Sequence, residues 1–273
     1  YAHPLTGGKQ VVCESWRNLI SVGSDPIAIT NCLNFGNPEK DIIMGQFVET
    51  IHGISEACKY LDFPVVSGNV SFYNETQNNP ISPTPTIGGV GLIKNINLTM
   101  SHSIKEIDSN IFVIGKTSGH LYQSEFFREV MKIYDGPPPE INLFNEKNNG
   151  LIVQKLIENK LVNSVHDISS GGLIIALAEM CLSGQIGTKM KVKFNKINPY
   201  EFLFGEDQSR YIIEVNEKNK KNVCKILEKN SIYYDIIGKT QKEYLSLNDD
   251  FNIKLSDIKN LNSLWFKDYF KES

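Results

Sequence analysis

The stretch FPVVSGNVSFYNET, Phe63–Thr76, decides how this chain is read. A short apolar run, Phe63-Pro64-Val65-Val66, breaks into the small corner Ser67-Gly68-Asn69, followed by hydroxyl, amide and carboxylate side chains. Immediately upstream, Met44, Phe47, Val48, Ile51, Ile54, Cys58 and Leu61 recur at helical spacing and predict an amphipathic helix over 43–61. Upstream again, Ile27-Ala28-Ile29 reads as a buried strand. Strand, long helix, strand is a crossover unit, so the region is α/β. The polar corner has two readings: an ordinary turn, or a place where backbone must approach a ligand.

Working outward, Val12, Trp16, Leu19 and Ile20 predict a helix over 10–23 that stops at Gly23, and Asn34–Pro38 is a turn-rich loop. TPTIGGVGLIKNI (84–96) is a further strand in which Gly88, Gly89 and Gly91 limit side-chain bulk. These elements define a first unit over 1–105. A second, over 106–273, begins with the strand NIFVIG (110–115) and continues with helices at 123–133 and 150–161, separated by a Pro- and Asn-rich loop. It contains a glycine corner before an apolar helix (164–184), strands KMKVKF and SRYIIEV, a helix KKNVCKILEKN and a last strand YYDIIGKT. The tail LSDIKNLNSLWFKDYF carries Trp265 and is expected to dock on the body.

The 273 residues are 41% hydrophobic and 22% charged, enough to bury a core, and the formal charge of -3 shows no basic excess of the kind nucleic-acid binders carry. Five cysteines without a CxxC spacing fit a reducing compartment, hence cytoplasm. No run has the length of a membrane span or the character of a signal peptide. The chain does not begin with Met, which is expected of a processed product or of a piece of a longer protein.

Three segments share one design, an apolar strand ending in a small polar corner: ITNCLNFGN (29–37), VVSGNVSFYNE (65–75) and SVHDISSGG (164–172). In α/β sheets such corners lie at the carboxyl ends of strands, where ligands bind. Glycine admits a phosphate to the backbone, and Asn and Asp offer the hard oxygens that Mg²⁺ takes. The bland readings stand beside these: Asn34, Asn37 and Asn74 as turn residues, HDISSGG as a helix start, Glu206-Asp207-Gln208 as a solvated acidic loop, His166 as a structural histidine. No P-loop, GxGxxG, HExxH or GxSxG occurs.

Taken together and in order, GGKQVVCESWRNL, AITNCLNFGNPEK, GISEACKYLDFPVVSGNVSFYNET, PTPTIGGVGLI, HDISSGGL and LFGEDQSRY resemble the C-terminal half of the phosphoribosylformylglycinamidine synthase family, over Gly7 to about Trp265. The resemblance implies an A-type domain whose sheet forms a barrel with a partner A domain, followed by a B-type α/β sandwich domain. It implies ATP-dependent, Mg²⁺-assisted amidation of formylglycinamide ribonucleotide by ammonia from a separate glutaminase. By position, it makes Asn31 (often Asp in the family) and Gly68 ATP contacts, Asn69 a Mg²⁺ ligand and Ser71 a substrate contact. Asp167, Glu206 and Gln208 would line a pseudo-symmetric nucleotide site or be structural. The family's catalytic His belongs to the N-terminal half, so this chain carries no catalytic residue and is expected to need that half, or to pair with itself through an exposed apolar face of the A-domain sheet. The alternatives are a stand-alone homodimeric synthetase of the same superfamily and a non-catalytic nucleotide-binding or assembly module.

Overall fold

The computed structural model describes residues 1–194, 197–248 and 250–271. Helix α1 (Pro4–Ser21) opens on His3, whose Nδ1 accepts from the Thr6 backbone N–H at 3.3 Å, and on Pro4, where a missing N–H is no loss. Gly23 closes it at φ +79°. The helix therefore starts six residues before the predicted 10. The Gly7-Gly8 pair, which reads as a breaker, is a packing device. A Cβ on Gly8 would strike the Thr50 carbonyl, and one on Gly53 the Leu5 carbonyl, so α1 crosses helix α2 (Asp41–Leu61) in near backbone contact.

Strands β1 (Asp25–Asn34) and β2 (Val65–Ser71) run parallel, joined by α2 as the crossover, with a small hairpin of β3 (Glu75–Thr76) and β4 (Asn79–Pro80) beyond. Strand β5 (Thr84–Leu92) lies antiparallel to β1, giving the order β2-β1-β5. Helices α1 and α2 cover one face. A Cβ on Gly89 or Gly91 would meet Leu19 of α1, so these two glycines let the helix settle on the sheet.

The second sheet has seven strands in the order β12-β11-β8-β10-β6-β9-β7: β6 (Asn110–Ile114), β7 (Ser164–Asp167), β8 (Gly187–Met190), β9 (Tyr211–Val215), β10 (Tyr234–Gln241), β11 (Tyr244–Leu247) and β12 (Phe251–Lys254). Helices α3 (Leu143–Glu158) and α6 (Glu217–Lys229) lie on the side of Phe112, Ile114 and Ile213. Helices α4 (Gly172–Gly184), α5 (Pro199–Phe204) and α7 (Leu255–Lys271) lie on the side of Ile111, Val113 and Ile212. The first of these two cores is continuous with the α1–α2 unit: Val12, Trp16 and Ile20 share it with Val153, Tyr211 and Val223.

Several sequence expectations are corrected. Asn142 caps α3 by accepting from Asn145 N (3.0 Å), so the helix expected over 150–161 begins at 143 and the preceding loop is shorter. The helix expected over 123–133 is a single π-helical turn, Phe126–Met131. The KMKVKF strand ends at Met190, and β11 and β12 follow the strand expected to be last. Among the described residues the tail meets the second core at its start, through Leu255 and Ile258. Beyond that, Trp265, Tyr269 and Phe270 are exposed, because Trp265 stacks on Tyr269 one turn along (5.6 Å) rather than on the body.

Candidate functional site

The two segments most diagnostic in the sequence meet at the carboxyl ends of β1 and β2. Asn74 Nδ2 donates to the Phe35 carbonyl (3.0 Å) and the Ser71 carbonyl (3.0 Å), and Tyr73 N donates to the Gly36 carbonyl (3.0 Å). Glu75 Oε2 accepts from Lys40 Nζ (3.0 Å) and from the Asn37 backbone (3.3 Å). Thus NFGNPEK and SFYNE form one stitched corner. The Ser71 hydroxyl lies within hydrogen-bonding distance of the Asn74 carboxamide, 3.1 Å from Nδ2 and 3.3 Å from Oδ1.

The four sequence-predicted residues of this corner are neighbours, yet they divide between two faces of the sheet. Asn31 pairs with Gly68 in register, and Cys32 pairs with Asn69. Strand side chains alternate, so Asn31 and Gly68 face α2 while Asn69 faces away. A Cβ on Gly68 would collide with the Asn31 Oδ1, which lies across the glycine. Asn31 opens into a cleft of about 760 Å³ between the edge of β2 and α2, with Leu33, Ile54, Cys58, Phe63 and Val70 in its wall. On the other face, Asn69 Nδ2 sits 3.8 Å from Cys32 Sγ and Asn34 Nδ2 sits 3.6 Å from the same sulfur.

This open face was expected to be apolar, and it is so only in part. Ala28, Val90 and Leu92 occupy one end, whereas Thr30, Cys32, Asn34, Thr84 and Thr86 occupy the end nearest the corner. Among the described residues the β2 edge has no strand partner on its outer side, and Val65, Val66 and Val70 are exposed along it.

Asp167 and Gln208 lie around a second centre, built on Arg17 of α1, and Glu206 sits in the loop that leads to it. Arg17 is fully buried. Its Nη1 donates to Glu146 Oε1 (2.8 Å) and its Nη2 to Gln208 Oε1 (3.1 Å). Ser209 Oγ donates to Glu146 Oε2 (2.6 Å). Asp167 accepts from Ser169 Oγ (2.7 Å) and, with the Asn18 carboxamide in the orientation that satisfies both its ends, from Asn18 Nδ2 at 2.9 and 3.1 Å. Burial alone would raise the Asp167 pKa, but the hydrogen bond with His166, the Arg17 charge and Ser169 outweigh it and hold the carboxyl below its ordinary value. Glu206 is not a solvated acid. Its Oε1 accepts from the backbone N–H of Gly171 (2.7 Å) and Glu125 (2.8 Å), while burial raises its pKa. Asp207 caps the loop after β6, accepting from the backbone of Ser118, Gly119 and His120 at 2.9, 2.8 and 3.3 Å.

Sequence reasoning missed Arg17, Glu146 and Asn18, and its reading of Asp207 as part of a solvated acidic loop is corrected, since Asp207 is buried on the backbone it caps. Arg17 left a readable trace, a charged residue in line with Cys13 and Ile20 on the buried face of α1. Among the described residues no group of three or more His, Cys, Asp or Glu side chains could hold a metal.

Residues 1–93 match the model of the AIR synthase related protein N-terminal domain, and 111–248 that of the C-terminal domain. The chain belongs to the AIR synthase related family. Its curated relatives carry the name phosphoribosylformylglycinamidine synthase subunit PurL. The protein of Pelagibacter ubique is 53% identical over 271 residues, covering 99% of this chain and 37% of that protein. That of Rhodospirillum rubrum is 43% identical, covering 98% and 37%. The chain thus spans somewhat over a third of the length of these relatives. Among solved structures, Thermotoga maritima PurL complexed with FGAR aligns with a TM-score of 0.75 at 18% identity (93% of this chain, 43% of that one), and its ATP complex with a TM-score of 0.72 at 17% (93% and 41%). The hydrogenase maturation protein HypE aligns with a TM-score of 0.68 at 11% identity, over 91% of this chain and 81% of that one. These alignments establish the family fold as a pair of α/β units in series.

Proposed function

We propose that this chain is the C-terminal half of an ATP-dependent phosphoribosylformylglycinamidine synthase, acting in the cytoplasm in purine biosynthesis together with the other half of its own protein and a glutaminase. The observation that carries the reading is the stitched corner, in which Gly68 on one face of β2 and Asn69 and Ser71 on the other follow one another along the outer strand of the sheet. The names of the curated relatives and the titles of the aligned ATP and FGAR complexes support it.

In this reading Asn31 and the Gly68 backbone contact ATP at the free edge of β2, past which its phosphates reach Asn69 and Ser71 on the open face. The absence of a side chain at 68 lets the Asn31 amide lie across the Gly68 backbone, and that amide, without the charge of an Asp, contributes a dipole. Ser71, oriented by Asn74, contacts formylglycinamide ribonucleotide on the open face. Asn69 is exposed and, among the described residues, no donor is recorded on its Oδ1, so it fits Mg²⁺ as one hard ligand. Among the described residues no group of three or more His, Cys, Asp or Glu side chains could hold a metal, so the remaining ligands come from phosphate, water and the other half. The bound ion would neutralise phosphate charge in the transfer step. The chain's own contribution is positioning and polarity, and the proton-transferring histidine lies in the other half.

The test is ADP release dependent on both ammonia and formylglycinamide ribonucleotide, measured on the full-length protein and on this chain alone. Turnover is expected from the full-length protein only. Turnover by the isolated chain near the full-length rate would instead establish a stand-alone synthetase.

A further inference from the structure

On the outer strands of the second sheet, β8 buries Thr188 and Met190 and exposes Lys189, and the alternation runs on past the strand through Lys191 and Lys193. Strand β10 lies antiparallel beside it, with Lys239 the direct partner of Lys189. Like charges opposed across antiparallel strands are unfavourable. Neither lysine is buried, so packing does not require the pair. Lys220 of α6 flanks this shelf on one side and Lys116, just after β6, on the other.

Two clefts run along the shelf, of about 770 and 490 Å³, and share Lys191 and Ile236. The larger adds Thr117, Ser118 and the exposed ring of Tyr233, and its floor is Val192, Ile236 and Ile237. Three carboxylates lie close, Asp108, Asp235 and Glu217, against six lysines. Among the described residues only Lys239 of the six makes an ion pair, with Glu217 at 2.9 Å. A basic concavity of this kind runs against a chain whose net charge is -3.

We infer that this shelf binds a small phosphorylated polyanion, carrying two or more phosphates, at a site separate from the corner at β2. Lysine tips on adjacent strands about 5 Å apart, and on the same strand about 7 Å apart, reach one di- or triphosphate together. Lysine binds phosphate as a point charge and tolerates this spread. The apolar floor and the Tyr233 ring suit an attached aromatic base. Such a ligand removes the repulsion between Lys189 and Lys239 that the free protein carries.

The test uses the full-length protein with a metal chelator present, which silences Mg²⁺-dependent nucleotide binding. Titration calorimetry with tripolyphosphate at fixed ionic strength is expected to find a binding event that weakens at least tenfold in Lys189→Gln/Lys191→Gln/Lys239→Gln. Without ligand the triple variant should melt at the same temperature or higher, since like charges are removed, which separates lost binding from lost folding. ADP binding more tightly than pyrophosphate, with the difference erased by Tyr233→Ser, identifies a nucleotide as the source. Equal affinities identify inorganic polyphosphate. The inference is overturned if the wild-type protein shows no tripolyphosphate binding, if the triple variant binds as well as wild type, or if only poly-glutamate or single-stranded oligonucleotide binds.

Discussion

The guanidinium of Arg17 in α1 meets the carboxylate of Glu146 in α3 at 2.8 Å, with both side chains essentially sealed from solvent. One belongs to the helix pair over the first sheet and the other to a helix over the second, so a buried ion pair welds the two units. Glu146 also accepts from Ser209 Oγ, and Arg17 Nη2 donates to Gln208, while the buried Arg17 Nε has no partner among the described residues. The motif GEDQSRY is therefore read by α1 as well as by its own unit. Arg210 of the same motif is buried too, bound to the Asp207 and Gly205 carbonyls and to Thr117 Oγ1, and burial brings its pKa down to about 10.

Arg17→Met leaves the Glu146 carboxylate buried without its cation and is expected to destabilise the chain by roughly 3–5 kcal/mol. The double variant Arg17→Met/Glu146→Met removes both charges and should recover much of that loss. Denaturant unfolding of the single and double variants measures it. A single-variant loss of under about 1 kcal/mol, as for an exposed pair, contradicts the weld.

Gly68→Ala drives a methyl into the Asn31 carboxamide. The clash should lower the melting temperature by a few degrees and raise the KM for ATP in the full-length enzyme, because Asn31 is displaced. Asn31→Ala/Gly68→Ala opens the space, so stability should return while the KM stays high. Recovery of both quantities in the double variant removes Asn31 from the nucleotide contact.

His166 Nδ1 sits 3.3 Å from Asp167 Oδ1 and its Nε2 sits 3.0 Å from Glu179 Oε2, with the His102 ring at 5.2 Å. Burial lowers the His166 pKa, but the two carboxylates outweigh it and lift it from 6.5 to about 9. The folded chain thus binds this proton more tightly than the unfolded chain, so the stabilisation is complete below 6.5 and is lost as pH rises through about 9. His166→Gln should flatten the stability profile over that window. Ring-proton NMR checks the value directly, and titration at or below the ordinary histidine range rejects it.

Much of this fold was legible because one face of each element is buried. The stripe from Met44 to Leu61 marked α2 to within three residues, and Gly23 marked the end of α1. The start of α1 was hidden because Gly7-Gly8 serves a helix crossing that only tertiary contact reveals. Strands β11 and β12 are four residues each, too short for alternation to declare itself. Asn31, Gly68, Asn69 and Ser71, which the family resemblance named, lie on adjacent strands in two of the polar corners that the sequence displays. Their division between two faces follows from the two-residue strand period, which puts Gly68 and Asn69 on opposite sides once β2 is accepted as a strand. The Arg17 centre was not legible, since its members come from α1, α3 and two loops far apart in the chain.

Asn69 offers the sharpest separation of function from structure. It is exposed on β2, its amide nitrogen 3.8 Å from Cys32 Sγ is too distant for a strong hydrogen bond, and its neighbours Gly68 and Val70 carry the strand register with β1. Asn69→Leu in the full-length enzyme should therefore change the melting temperature little, since exposed substitutions fall within about 0.5 kcal/mol. If the amide oxygen is a Mg²⁺ ligand, the same variant loses one of the few direct protein contacts the ion keeps beside phosphate and water. The turnover number should then fall by about 100-fold, the order seen when a group neutralising transition-state charge is lost, and added Mg²⁺ should restore it only in part. Asn69→Asp keeps an oxygen at the same place and should retain more activity than Asn69→Leu. Melting temperature and turnover measured on both variants decide the matter: near-normal turnover in Asn69→Leu, whatever its stability, would take Asn69 out of the site.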